Sequence, residues 1–133
     1  MAKSNKTSKN FRQALTLSEK KMLAGKNAEQ NESLMKQVKP DEYVLHTKLP
    51  GSPFVNIKEK SDRVDKKDIK DAALFCALYS QAWKKAKKKK DVEVHVFLGR
   101  DVYKEKGMPI GTFGVKKFKK ILVKKAELER QAR

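Results

Sequence analysis

The residues best suited to chemistry lie in one run, Gly25-Lys26-Asn27-Ala28-Glu29-Gln30-Asn31-Glu32. A strand ending at Gly25 and a helix beginning at Asn27 leave backbone N–H groups free at the helix start, and such groups hold anions. Lys26 adds a point charge, while Asn27, Gln30 and Asn31 carry amides able to hydrogen-bond a sugar or a base. The same residues have a purely structural use. Asn27 is a good N-cap, and Gln30 three residues on completes a pair resembling a capping box. Two lysine runs offer phosphate contact of another kind. The first is Lys84, Lys85, Lys87, Lys88, Lys89 and Lys90. It reads either as a phosphate clamp or as a solvated helix end whose like charges repel. In the second, Lys116, Lys117, Lys119 and Lys120 bracket Phe118 on an expected edge strand, where lysines also guard against aggregation.

Other chemistries find no residues to support them. His46 and His95 are the only histidines, and neither has a neighbour at metal-ligand spacing. No paired carboxylates, Ser-centred elbow or phosphate-loop lysine motif occurs. The expectation is therefore no catalytic residue, no metal, no cofactor and no small-molecule substrate. His46, on a strand just before a turn, reads as structural or as a surface hydrogen bonder. His95 beside Glu93 reads as a solvent residue. Cys76 is the single cysteine, which excludes an internal disulfide framework and a Cys-based zinc site. It sits on an apolar helix face, where a free thiol behaves as a small hydrophobe. Phe75 and Trp83 read as core, and Tyr43, Tyr103 and Phe113 as packing residues, since their spacing forms no stacking platform.

Charge points to the partner. The 133 residues carry 33 Lys and Arg against 16 Asp and Glu, a net of +17. From Lys84 to Lys125 there are 15 basic and 4 acidic residues, so the excess lies in the C-terminal half. A charge of this size repels itself and favours a polyanion. Lysine outnumbers arginine, which favours neutralising backbone phosphate over bidentate base reading. If about six phosphates are neutralised, affinity falls roughly a thousandfold between about 50 and 200 mM salt. The longest apolar run, Ala72–Tyr79, is far short of the roughly 20 residues of a membrane span. The polar, basic N-terminus is not a secretory signal. The expectation is a cytoplasmic protein with no membrane partner.

The elements that must position these residues follow from spacing. The length predicts one domain. Residues 1–10 lack apolar residues beyond Met1 and Ala2 and are expected as a disordered basic arm. Strands are expected over Phe11–Leu17 and Lys20–Gly25, with a Ser18-Glu19 turn. A helix is expected over Asn27–Val38, where Ala28, Asn31, Leu34, Met35 and Val38 share a face. Tyr43–Lys48 and Phe54–Lys58 form a strand pair around a Pro50-Gly51 type II turn, and Glu59–Lys67 a surface loop. Lys67–Lys84 is the strongest helix, capped by Asp65 or Asp68 and able to run on to Lys90. Val92–Leu98 alternates as a half-buried strand. Strands near Thr112–Val115 and Phe118–Val123 follow, and residues 124–133 form a frayed helix or tail. The order gives a compact α+β domain of mixed, mostly antiparallel strands with two main helices, as a sandwich or half-barrel.

The Gly25–Asn31 run resembles the signature of the NFACT-R RNA-binding domain family, in which a Gly-(Lys/Arg)-Asn-Ala-x-Gln-Asn stretch opens the first helix. Phe11-Arg12, Leu45-His46 with Pro50-Gly51-Ser52, Ala72-Ala73, Tyr79-Ser80 and the Pro109–Gly111 loop are similar to further elements of that family, so the resemblance spans residues 11–123. The sequence departs from the family pattern at Val44 (beside Tyr43), where Trp is usual, at Pro53, where His is often found, and at Ile110, which is inserted in the late Pro-Gly. The resemblance implies a stand-alone protein that binds RNA, with tRNA or large-subunit rRNA as ligand, linked to ribosome-associated quality control. It also brings His46 near the RNA. The Gly25–Asn31 helix start with His46, Thr47 and Lys48 would then form a polar pocket for a backbone kink or exposed base, while the lysines supply affinity. A DNA-binding protein and a basic adaptor for an acidic protein remain the alternatives.

Overall fold

Alternating apolar residues along short strands set the architecture of the computed structural model, which describes residues 10–131. The strands are β1 (Arg12–Leu15), β2 (Lys21–Ala24), β3 (Tyr43–Thr47), β4 (Val55–Ile57), β5 (Val92–Leu98), β6 (Val102–Tyr103), β7 (Gly114–Val115) and β8 (Lys119–Val123). Helices α1 (Ala28–Gln37), α2 (Lys66–Leu78), α3 (Gln81–Lys84) and α4 (Lys125–Gln131) complete the chain. Six strands form one sheet in the order β1-β2-β4-β3-β5-β8, each pair antiparallel. Strands β6 and β7 make a separate two-stranded ribbon.

The period of two sends neighbouring residues to opposite faces. Met22, Ala24, Leu45, Ile57, Val94 and Val96 pack on one face with Ala72, Ala73 and Cys76 of α2. Leu23, Val44 and Phe97 pack on the other with Leu34 and Met35 of α1. This is an α+β domain with an open sheet covered on both faces. Cys76 is fully buried, and burial pushes its thiol up to about 12.

The β5 strand and the β1–β2 hairpin form as their spacing predicts, and the chain reverses between β3 and β4 with Gly51 at φ +90°. Asp65 and Asp68 both cap α2, each accepting the other's backbone N–H. Other elements differ. The expected Lys67–Lys84 helix is broken, because the Ser80 hydroxyl donates to the Ala77 carbonyl and accepts the Trp83 N–H, starting a new turn. Nor does it reach Lys90: α3 ends at Lys84, and the rest of the lysine run connects it to β5. The strand expected over Thr112–Val115 shortens to Gly114–Val115, paired to an unanticipated β6. A Cβ on Gly114 would fall 2.1 Å from the Tyr103 ring, so only glycine allows that pairing. The loop over Glu59–Lys67 contains a 3-10 turn at Ser61–Arg63. The C-terminal segment is docked rather than frayed over its described part, with Leu128 fully buried against α2 and the Lys125 N–H donating to Asp91 at 2.7 Å. Of the arm expected over 1–10, all but Asn10 lies outside the described residues, as do residues 132 and 133 of the tail.

Candidate functional site

The start of α1 is bound tightly to the β3–β4 turn. The Asn31 side chain is buried; its Oδ1 accepts the Phe54 N–H at 3.1 Å and its Nδ2 donates to the Ser52 carbonyl at 3.5 Å. Gly25 is required beside it, since a Cβ there would sit 2.2 Å from Asn31 Oδ1. Asn27 caps the helix by accepting the Gln30 N–H at 2.8 Å. Gln30 does not close the expected box: its Oε1 accepts the Lys26 N–H instead, and its Nε2 donates to the Asn10 carbonyl. Within this run, then, the amides of Gln30 and Asn31 and the Asn27 Oδ1 are occupied with protein backbone. The Lys26 side chain is exposed and has no ion-pair partner among the described residues.

A second loop is strapped over the same helix end. Glu32 accepts the Gly111 N–H at 2.7 Å and the Lys104 ammonium at 3.0 Å. Lys104 also donates to the Pro109 and Thr112 carbonyls, at 2.6 and 2.8 Å. The Gly111 hydrogen bond, outweighing desolvation and aided by Lys104, holds the Glu32 carboxyl below its ordinary range. Ala28 and Gly111 touch so closely that a Cβ on Gly111 would lie 2.9 Å from the Ala28 backbone.

Between the α1 start, the β3–β4 turn and the open end of the sheet lies a cleft of about 550 Å³. Lys26, Asn27, Asn31, His46, Thr47, Lys48 and Lys84 line it, so the helix start and the His46–Lys48 segment are brought together as expected. The Thr47 hydroxyl is spent on the Leu49 carbonyl at 2.7 Å, and the Thr47 N–H donates to Ser52 Oγ at 3.1 Å. His46 Nδ1 lies 2.7 Å from the Thr47 carbonyl, so Nδ1 carries the proton and Nε2 is an acceptor. Burial lowers the His46 pKa, against the Thr47 hydrogen bond, and keeps the ring neutral at neutral pH.

Lys85, Lys87, Lys88 and Lys90 are exposed beyond the rim, outside the cleft, and Gln30 also lies outside it. Lys89 differs from its neighbours. It donates to the Trp83 carbonyl and places its ammonium 4.8 Å from the Trp83 ring centre, tying the run back to α3. Lys116, Lys117 and Lys119 are exposed on the approach to and along the β8 edge. None of the lysines in the two runs forms an ion pair among the described residues.

Arg12, Tyr79, His95 and Phe118 also line the cleft, a role that their spacing in the sequence does not indicate. The Arg12 guanidinium stands 3.9 Å from the centre of the Tyr79 ring, and both line the cleft. Tyr79 follows the apolar spacing of α2, but the helix ends there and leaves it exposed. His95 is not a solvent residue. It faces the cleft, with Nε2 2.9 Å from Glu93 and its ring stacked on Phe118. The His95 N–H, outweighing slight desolvation and helped by Lys120 and Lys48, holds the Glu93 carboxyl below its ordinary range. Period-two alternation placed His95 on the polar side of β5, but no spacing rule connects it to Phe118. Among the described residues no group of three or more His, Cys, Asp or Glu could hold a metal, and no helix is long and apolar enough to cross a membrane.

A family model described as the NFACT protein RNA binding domain matches residues 10–117. In a solved structure, the C-terminal part of the fibronectin/fibrinogen-binding protein from Streptococcus suis is similar to this chain at 25% identity and a TM-score of 0.75. The match covers 86% of this chain and 45% of that one, so the chain spans less than half of its structural relative. No curated protein matches the sequence.

Proposed function

Because this chain belongs to the family of NFACT RNA-binding domains, we propose that it binds tRNA or the rRNA of the large ribosomal subunit, on cytoplasmic ribosomes during ribosome-associated quality control. The role is binding without catalysis. One observation carries this reading: Lys26, Lys48 and Lys84 line a concave cleft and form no ion pair among the described residues. Unneutralised cations around a concavity focus the field and attract phosphate. The lysines at 85, 87, 88 and 90 extend the same positive surface away from the rim and supply steering. Lysine contacts of this type position a nucleic acid without reading its sequence. Specificity for RNA then rests on the cleft.

Binding of labelled tRNA and of duplex DNA, compared at equal phosphate, tests the first half. Affinity for tRNA is expected to fall about a thousandfold between roughly 50 and 200 mM salt. A slope near zero, or equal affinity for the DNA, rejects the assignment. Sucrose gradients of a lysate with and without RNase test the second half. Salt-sensitive migration with the large subunit is the expected result, and migration at the top under every condition removes the ribosome from the reading.

A further inference from the structure

Resting on the RNA-binding reading, we propose that Phe118, backed by His95, is a stacking platform for one unpaired RNA base. The two rings lie nearly parallel, 13° apart with centres separated by 4.0 Å. Their meeting is set by the sheet: β8 pairs with β5 so that Lys120 lies opposite His95, and Phe118 immediately precedes β8. His95 is held from behind by Glu93, 2.9 Å from its Nε2, and pairs across the sheet with His46. The His95 ring therefore holds Phe118 without covering it, and Phe118 remains 45% exposed at the cleft.

An aromatic ring held in place in this way loses little freedom when a base stacks on it. Its surroundings select the ligand. Lys116, Lys117, Lys119 and Lys120 neighbour Phe118 along the chain, are exposed and have no ion-pair partner among the described residues, and Lys120, opposite His95 in the β5–β8 pairing, shares the ring's face of the sheet. An apolar ring with a cation on the same face suits a strand with a base on one side and phosphate on the other. Protection of an edge strand accounts for the lysines alone; it does not require an exposed phenyl ring stacked on a histidine. A base within a duplex has both faces covered by its neighbours and cannot use the ring, so the occupant is an unpaired nucleotide.

The test compares a blunt RNA hairpin, its loop replaced by a polyethylene glycol linker so that it holds no unpaired nucleotide, with the same hairpin carrying a short single-stranded 3′ extension that contains 2-aminopurine, using the full chain. The extended hairpin is expected to bind about tenfold more tightly, with 2-aminopurine fluorescence quenched by stacking. Phe118→Ala should abolish both the preference and the quenching, leaving blunt-hairpin affinity and melting temperature unchanged, and Phe118→Tyr should retain both. Equal wild-type binding of the two hairpins overturns the platform while the RNA-binding reading stands. So does an equal loss for both in Phe118→Ala. Failure to bind either hairpin overturns both readings.

Discussion

Asn31 on α1 accepts the Phe54 N–H at 3.1 Å, joining the first helix to the residue that leads into β4. The contact is buried, so its loss leaves an amide N–H without a partner. Asn31→Ala should therefore cost about 2 kcal/mol in urea unfolding. Lys26→Ala, at an exposed side chain with no ion pair among the described residues, should leave stability unchanged and weaken tRNA binding severalfold. Equal stability losses in the two variants would contradict this division between a structural asparagine and a phosphate-binding lysine.

The lysine run is predicted to act as charge alone. Neutralising Lys85, Lys87, Lys88 and Lys90 together should weaken every RNA sequence alike and lower the salt slope by up to about 0.9 for each lysine that contacts a phosphate. Lys89 is left in place because its ammonium packs over Trp83. Binding isotherms over several salt concentrations measure the slope, and a change in sequence preference would show that these residues read bases.

Asp68 is a source of acid sensitivity. Burial raises its pKa, but hydrogen bonds from Ser18 and Thr16, the Asp65 N–H and the nearby Lys20 outweigh that and lower it from 3.8 to about 2. The unfolded chain therefore binds the proton more readily. The stabilisation, about 2 kcal/mol, is full above about pH 4 and is lost as the pH falls through about 2. Asp68→Asn should be less stable than wild type at neutral pH, and the gap should narrow under acid. Thermal melts of both proteins across this range test it.

His46 titrates in a higher window with the same sign. Its folded pKa lies below the ordinary value of 6.5, chiefly through burial, so the unfolded chain takes up the proton first. Its contribution to stability is full above that value and is lost as the pH falls through the folded pKa. Melting temperature should drop between about pH 7.5 and about pH 5.5 by more in wild type than in His46→Gln. Parallel curves would remove His46 as the titrating group.

The sequence by itself determined what depends on near neighbours along the chain. Val92–Leu98 alternates and is a strand, Asn27 caps α1 through a residue three positions away, and Pro50-Gly51 turns the β3–β4 hairpin. It also set the overall positive charge, which does not depend on folding. The same local rules missed the break at Ser80, where one hydroxyl outcompetes an otherwise unbroken apolar pattern. Only the tertiary structure decided how the candidate residues are used. Asn31 and Phe54 are 23 positions apart, and the one reaches the other only once α1 is packed on the sheet. His95 and Phe118 stack because β5 and β8 pair in one register of several that their apolar alternation permits. Spacing specifies which face a residue occupies. The partner it meets there depends on strand order and register, which are set by burial summed over the whole sheet.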